Sequence, residues 1–233
     1  MRPIERGGCP VDNNQQKIVF SHYSDARGEL IKRMGQYCSY CEMKLDASLA
    51  VEHVQPKKAR GSNVVNQTLL LDWENFLLAC TNCNSTKGNK PVVLTDYIWP
   101  DTDNTFRAFV YSTGGIISAA PGPVHQEAKN MIALVGLDKK PDTADASDRR
   151  WSNRLETWGM AERARTRLIN RDSIELRETI AEHAYSQGYW SIWMTVFSHD
   201  SDMLRRIIAQ YMGTSALCFN NTGMALPRPQ GKC

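Results

Sequence analysis

The feature that most constrains this chain is a pair of Cys-x-x-Cys motifs in one short segment. The first contains Cys38 and Cys41, and the second contains Cys80 and Cys83. Each motif places two thiolates on one side of a tight turn, and two motifs together supply the four ligands of a structural zinc site. One motif alone would fit a redox pair equally well, but two favour zinc. Four cysteines close the coordination sphere, so the predicted zinc stabilises the fold and takes no part in catalysis.

Any catalysis must then come from polar residues that the zinc site positions. Glu52 is a hard oxygen ligand and Asn84 offers an amide oxygen directly after the last cysteine, a pair suited to Mg²⁺ or Mn²⁺. His53 adjoins Glu52, and its ordinary pKa near neutrality lets it take a proton from an attacking water. Lys87 lies about one helical turn beyond Asn84, where its ammonium would meet a phosphate.

Each of these residues also has a structural interpretation. A lone histidine is more often structural than catalytic, Asn75 fits the cap of a turn or helix, and Lys87 fits a solvated lysine. Three basic residues beside the proposed site are well placed for a phosphodiester backbone, namely Lys57, Lys58 and Arg60. The joint occurrence of all these features in one segment favours a nuclease over a purely structural zinc ribbon.

Read in order, the segment contains C-x-x-C, Glu-His-x-x-Pro, an Asn, and C-x-x-C-Asn-x-x-Lys. It resembles the four-cysteine branch of the HNH endonucleases, which have a ββα-metal fold. The resemblance implies that Glu52 and Asn84 hold the catalytic metal and that His53 is the general base. It also implies that Asn75 orients the loop carrying the histidine and that Lys87 faces the nucleic-acid backbone. Many members have Asp at the position of Glu52, and many have His at the position of Asn84, where the amide favours Mg²⁺ or Mn²⁺.

A longer resemblance covers most of the chain. The opening sequence MRPIERG, the placement of the HNH segment and the helical tail resemble the nuclease subunits of Septu-type anti-phage systems. Related subunits accompany some retrons. In that family the nuclease works beside an ATPase subunit of the PtuA type, so we expect the helical region 121–233 to bind such a partner. The favoured substrate is DNA; cleavage of structured RNA such as tRNA, or a non-catalytic zinc-ribbon binding module, is the alternative.

Composition narrows the class and the compartment. The net charge of the 233 residues is only +3, so any attraction to nucleic acid must be local. No run approaches the ~18 apolar residues of a membrane span, and the N-terminus lacks an apolar signal-peptide core. We therefore expect a cytoplasmic protein without a membrane partner. Cys9, Cys218 and Cys233 are predicted to be free thiols, as an odd, scattered remainder does not form a disulfide framework.

Hydrophobic periodicity predicts an α+β protein that is mainly α, with four regions at 1–37, 38–90, 91–120 and 121–233. In the second region, a strand over 50–54, a return strand over 76–80 and a helix over 82–87 form the ββα unit. The positive N-terminal end of that helix would face the phosphate. In the third region, segments 105–110 and 116–119 flank a Gly-Gly hairpin signal. The fourth region is predicted to be helical and to bind the partner.

The remaining predictions concern helices and basic residues. We expect helices over 18–34, 149–184 and 204–211, and an aromatic cluster over 189–197 that is either core or a partner surface. Arg2 and Arg6 contact either phosphate, a partner or only solvent. Seven arginines in the long helix favour a salt-bridged outer face over a nucleic-acid flank: Arg149, Arg150, Arg154, Arg163, Arg165, Arg167 and Arg171.

Overall fold

Helices dominate the architecture, and the few strands are short. The computed structural model describes residues 1–58, 60–141 and 147–233. Within these ranges, β1 (Ala50–His53) pairs antiparallel with β2 (Phe76–Ala79), and β3 (Phe109–Ser112) pairs antiparallel with β4 (Ile116–Ala119). The prediction of an α+β, mainly α fold is confirmed. No helix among the described residues combines the length and the apolar character that crossing a membrane requires.

Nine α-helices lie within the described ranges. In chain order they are α1 (Arg27–Met34), α2 (Gln67–Leu71), α3 (Thr81–Lys87), α4 (Thr105–Ala108), α5 (His125–Val135), α6 (Arg150–Asn170), α7 (Ile174–Gln187), α8 (Trp190–Val196) and α9 (Ser201–Gln210). The β1–β2 hairpin and α3 form the predicted ββα unit. Because β2 ends at Ala79, the last two cysteines fall at the start of α3.

Three predicted elements differ from the observed ones, each for a local reason. The helix expected over 18–34 begins at α1 after a 3₁₀ turn (Tyr23–Ala26), because the His22 amide donates to the Asp25 carboxylate and sets the start there. The helix expected over 149–184 is two helices, because Ser173 Oγ caps a new start at the amide of Leu176. The segment 105–110 forms α4 before β3 begins.

Arg2 and Arg6 are structural and not surface contacts. Both are buried, and the guanidinium of Arg2 donates to the carbonyls of Met34 and Met212, at 2.5 and 2.8 Å. Arg6 pairs with the buried carboxylate of Asp101 at 3.2 Å and donates to the Glu74 carbonyl at 2.7 Å. The N-terminal segment is therefore tied into the core, and the interpretation of these arginines as phosphate contacts is wrong.

The arginines of this helical stretch divide into three groups, and the prediction of a salt-bridged outer face is wrong for most of them. Exposed Arg149, directly before α6, does pair with Glu156, at 3.5 Å. Arg150 and Arg154 are buried. In the part of the chain that the structure describes, four exposed members have no acidic partner within ion-pair distance: Arg163, Arg165, Arg167 and Arg171. The aromatic cluster on α8 is core, since Trp190 and Trp193 are both completely buried.

Buried polar contacts join the helical half to the zinc-binding segment. Glu42, directly after the first cysteine motif, accepts from Ser191 Oγ at 2.6 Å and from the Ser191 amide at 3.1 Å. Tyr37 Oη donates to the Tyr185 carbonyl at 2.6 Å. Because such contacts are costly to leave unmade in the interior, they fix how the helices sit against the ββα unit.

Candidate functional site

The four cysteines meet as predicted. The Sγ atoms of Cys38, Cys41, Cys80 and Cys83 all lie within 4.8 Å of one another, and all four residues are buried. The Cys41 and Cys80 sulfurs are 3.7 Å apart. This separation matches the edge of about 3.8 Å in a tetrahedron whose metal–sulfur bonds are about 2.3 Å. It is far too long for a disulfide, and the thiols are free. The donor set and its geometry therefore fit a structural zinc ion.

The surroundings of the sulfurs supply hydrogen-bond donors and a positive charge. Cys80 is the N-cap of α3, and its Sγ accepts from the Cys83 amide at 3.3 Å. Arg150, at the start of α6, donates from Nη1 to Cys83 Sγ at 3.1 Å and to the Val135 carbonyl at 2.7 Å, while Asp148 accepts from its Nε and Nη2. Four thiolates around Zn²⁺ carry a net charge of about −2, which the guanidinium partly offsets.

A cleft lies beside this cluster, on the side of the ββα unit where the candidate catalytic residues converge. Its volume is about 390 Å³. The lining residues that bear on its chemistry are Tyr23, Glu52, His53, Lys57, Lys58 and Asn84. Glu52 and His53 come from β1, Asn84 comes from α3, and Tyr23 comes from the turn before α1. The fold thus brings together residues from three segments that are far apart in the sequence.

His53 is held in the form that a general base requires. Its Nε2 lies 3.0 Å from the Leu70 carbonyl, which can only accept, so Nε2 carries the proton and Nδ1 keeps its lone pair. The ring packs edge-on against Tyr23 and Phe76. Burial, and secondarily the charges of Lys57 and Lys87, lower the pKa of His53 despite the opposing effect of the Leu70 bond. The imidazole is therefore neutral near neutral pH.

Asn75 connects the segment that follows His53 with the segment that contains Leu70, the hydrogen-bond partner of His53. Its Oδ1 accepts from the Gln55 amide at 2.7 Å, and its Nδ2 donates to the carbonyls of Gln55 and Leu69 at 2.9 and 3.0 Å. Gln55 follows His53 by two residues, and Leu69 precedes Leu70. These are the contacts that the predicted loop-orienting role requires, and the alternative of a helix cap has no support in them.

Lys87 does not face nucleic acid, and this prediction is wrong. Its side chain is only 1% exposed, and Nζ pairs with Glu52 Oε1 at 2.7 Å. The same ammonium donates to the His53 carbonyl at 2.7 Å. The reason is position on the helix: Lys87 lies on the buried face of α3, against β1, where an unpaired carboxylate would otherwise be stranded. Lys87 therefore stabilises the strand that carries the histidine.

Glu52 is more constrained than a free metal ligand. Its Oε2 accepts from Tyr40 Oη at 2.7 Å, while Oε1 is taken by Lys87. Burial beside Glu52 raises the pKa of Tyr40 well above its usual value, so the phenol remains a donor. A carboxylate has about four lone-pair sites, so each oxygen retains capacity for a cation. The side-chain amide of Asn84 has no hydrogen-bond partner among the described residues. Glu52 and Asn84 thus fit a divalent ion by donor type, with Lys87 sharing the carboxylate.

The basic residues around the cleft are not equivalent. Lys57 lies over the Tyr23 ring with Nζ 3.5 Å from its centroid, and Lys58 donates to Asn63 Oδ1 at 3.3 Å. Both line the cleft, whereas Arg60 is exposed and lies outside its lining. At the N-terminal end of α3 the Cys83 amide donates to Cys80 Sγ, so this end lies at the cysteine cluster. The cleft is bordered by the later part of α3.

Sequence reasoning missed three residues that shape these sites. Tyr40 and Tyr23 contact Glu52 and His53, and Arg150 contacts the zinc cluster. No local motif marks Tyr23 or Arg150, because their neighbours in space are distant in sequence. Tyr40 offered one signal: it lies between the first two cysteines, where the chain must turn back towards β1.

Comparison with known proteins assigns the zinc-binding segment to a class. The sequence model of the HNH endonuclease family matches residues 38–90. Those residues contain the four sulfurs, both strands of the first hairpin, α3 and all the cleft residues named above except Tyr23. Residues 38–90 are therefore an HNH endonuclease module of the four-cysteine type.

Similarity to one curated protein is more specific than the match to the family model. The chain is 33% identical over 92 residues to the Septu protein PtuB of Bacillus thuringiensis, an alignment that covers 37% of this chain and 34% of that protein. The chain thus matches about a third of the length of this curated relative. The similarity agrees with the Septu-type resemblance in the sequence, while it leaves more than half of this chain unaligned.

Proposed function

We propose that this chain is a metal-dependent endonuclease that hydrolyses phosphodiester bonds of nucleic acid, with DNA as the favoured substrate. The observation that carries the proposal is the state of His53. Its Nε2 proton is committed to the Leu70 carbonyl, and its Nδ1 lone pair is available in a cleft that also contains Asn84 and Lys57. A residue held neutral, oriented and open to a cleft has the properties of a general base.

In the proposed reaction, His53 Nδ1 takes a proton from water as the water oxygen bonds to phosphorus and the bond to the leaving oxygen breaks. Asn75 positions the loop on which the histidine's partner lies. Lys57 and Lys58 hold the phosphodiester backbone at the mouth of the cleft. Glu52 and Asn84 would hold Mg²⁺ or Mn²⁺, which when bound stabilises charge on the phosphate and the leaving oxygen. The four cysteines would hold Zn²⁺, which stabilises the fold.

The wider role is also a proposal. Similarity to the Septu protein PtuB supports a function in anti-phage defence. We propose that the chain acts in a complex with an ATPase of the PtuA type and that the helical region 121–233 contacts this partner. Purification of the chain with the products of neighbouring genes tests the association. Recovery of the chain alone, under conditions that preserve other complexes, contradicts it.

The catalytic proposal is tested by replacing His53 with Ala. We expect cleavage to fall by about 10² to 10⁴-fold, the usual contribution of a general base, while zinc content and the circular dichroism spectrum stay unchanged. Replacement of His125, an exposed histidine outside the cleft, provides the matched control. Cleavage of plasmid DNA and of total RNA is measured with Mg²⁺ or Mn²⁺ added, and EDTA should stop it before zinc is lost.

The outcomes separate the alternatives. Cleavage of DNA that disappears in the His53 variant supports the proposal, and cleavage of RNA by the same residue would retain the mechanism with a different substrate. An absence of cleavage by the zinc-loaded chain, with its partner present, would favour the non-catalytic zinc module. Unchanged cleavage by the His53 variant would remove the assigned base.

A further inference from the structure

Helix α6 carries a concave surface that the proposed active site does not use. Its outer side contains a notch of about 360 Å³ lined by Gly159, Glu162, Arg163, Thr166 and Arg167. A glycine inside a 21-residue helix is unfavourable relative to alanine. Here its missing side chain makes the depression, because a Cβ on Gly159 would come within 3.1 Å of Arg163 Nη1. The guanidinium of Arg163 lies folded over the glycine.

The charges in this notch are unbalanced. Arg163 and Arg167 are one helical turn apart on the same face, and Arg171 extends the row by another turn. These three side chains are exposed, and in the part of the chain that the structure describes they have no acidic partner. Glu162 lines the notch but makes no ion pair there. Two guanidinium groups against one carboxylate leave a local positive site in a chain whose net charge is only +3.

The helix that bears the notch is fixed to the nuclease module. Arg150 in the first turn of α6 bonds to Cys83 Sγ and to the Val135 carbonyl, so the start of the helix is anchored at the zinc cluster. At a rise of about 1.5 Å per residue, Arg163 lies roughly 20 Å and Arg167 roughly 26 Å along the axis from that anchor. The notch therefore keeps a constant offset from the cysteine cluster, at a distance that a nucleic acid of several base pairs spans.

The chemistry of the lining selects the class of ligand. Guanidinium groups match the geometry of phosphate oxygens and bind them bidentately. The notch contains no aromatic or large apolar side chain, which the buried centre of a protein–protein interface normally supplies. We propose that this notch is a second binding site for the phosphodiester backbone of the nucleic acid that is cleaved in the cleft. The proposal rests on the proposed nuclease function and extends it to a remote part of the substrate.

The test uses the zinc-loaded chain of 233 residues with His53 replaced by Ala, so that binding is measured without cleavage. Fluorescence anisotropy gives Kd for a 30-base-pair duplex DNA and, separately, for a folded tRNA, over a series of salt concentrations. The two ligands share the phosphodiester backbone and distinguish its source. Arg163→Gln with Arg167→Gln removes the two guanidinium groups. Lys129→Gln with Lys139→Gln, on exposed residues outside the notch and the cleft, removes the same charge.

We expect the arginine pair to weaken binding by about tenfold and to reduce the slope of log Kd against log salt by about 1.8, or 0.9 for each lost phosphate contact. The lysine pair should change the slope little. Gly159→Ala favours the helix, and its Cβ would crowd Arg163 Nη1 at 3.1 Å. It should therefore weaken binding without lowering the melting temperature. This variant separates a lost contact from a damaged fold.

Equal effects of the arginine and lysine pairs would overturn the notch as a binding site and leave only a net-charge effect. Loss of association with the partner ATPase, at unchanged nucleic-acid affinity, would overturn it in favour of a protein surface. If the parent chain binds neither ligand, the proposed function itself fails. If the parent binds and the arginine pair binds equally well, only the inference about α6 fails.

Discussion

The zinc cluster and the cleft are neighbours on α3, but they are built in different ways. The cluster takes its four sulfurs from two local motifs, and each motif positions its own pair. The cleft takes Tyr23, His53 and Asn84 from three separate segments, and contacts between distant residues form it, such as the His53 ring with Tyr23 and His53 Nε2 with the Leu70 carbonyl. A metal site can thus be encoded by spacing within a few residues, whereas the catalytic surface depends on how the whole module packs.

This difference also predicts how the two sites fail. A zinc site of four thiolates is cooperative, since the ion binds the folded arrangement and not the separated motifs. The cleft can lose one side chain while the rest persists, provided that no buried charge is left unpaired. Mutations in the cluster should therefore affect fold and activity together, and mutations in the cleft should separate them.

The strongest test of this comparison is Cys80→Ser. Cys80 supplies one zinc ligand and also caps α3, so we expect loss of zinc, unfolding of residues 38–90 and loss of cleavage. Binding of structural zinc contributes about 10–16 kcal/mol in small zinc modules, which exceeds the total stability of most domains. Metal analysis and hydrogen exchange report the outcome. Cys9→Ser, outside the cluster, is the control, and a folded Cys80 variant without zinc would contradict the comparison.

Lys87→Met sharpens the comparison from the side of the cleft. The structure buries the Lys87 ammonium against Glu52 and the His53 carbonyl. Removing one partner of a buried ion pair costs about 3–5 kcal/mol, so we expect a clear loss of unfolding free energy in denaturant titrations, with zinc still bound in the native state. Had Lys87 faced nucleic acid, as the sequence suggested, stability would change by only about 0.5 kcal/mol.

Two further variants make the Lys87 result specific. Lys90→Met is the same substitution three residues later, where Nζ donates to the Leu134 carbonyl from a half-buried position, and it should cost much less. Glu52→Gln combined with Lys87→Met removes both charges and should recover part of the loss. A double variant that is less stable than Lys87→Met alone would exclude the ion pair as the cause.

The sequence predicted the four-cysteine cluster and the ββα order, and the cluster depends on local spacing. Cys-x-x-Cys fixes two ligands by a single turn, and the Gly-Gly signal fixed the second hairpin. The short turn of the second hairpin needs little long-range information, whereas β1 and β2 are joined by residues 54–75, which include α2.

The sequence did not predict which charged residues are buried. Lys87, Arg6 and Arg150 read as surface cations by composition, but each lies in the interior with a carboxylate or thiolate partner. Burial of a charge depends on a partner from elsewhere in the chain, and no pattern within one segment records that partner. The same limit explains α6, whose buried arginines bind partners, whereas Arg163, Arg165 and Arg167 have no acidic partner within the part of the chain that the structure describes.

The smallest expected effect is on the pH dependence of cleavage, and it concerns one residue of the cleft, His53. Burial lowers the pKa of His53, and Lys57 lowers it further. The base form is therefore available at neutral pH, and cleavage should fall on acidification only below the ordinary histidine pKa of about 6.5. Stability follows the same sign: the unfolded state binds the proton more readily, so the contribution of His53 is lost as pH falls through that value.

Lys57→Gln removes one of the charges that lower the pKa of His53, so the acidic limb of the pH–rate profile should move to higher pH. Lys58→Gln is the matched control, because Lys58 lines the same cleft but is not among the groups that shift this histidine. The zinc cluster should be indifferent to both changes, since neither lysine contacts a sulfur. A limb that moves equally in both variants would mean that the cleft responds to general charge. If the acidic limb moves only in Lys57→Gln, the pH–rate profile reports the titration of His53 and not of the zinc cluster.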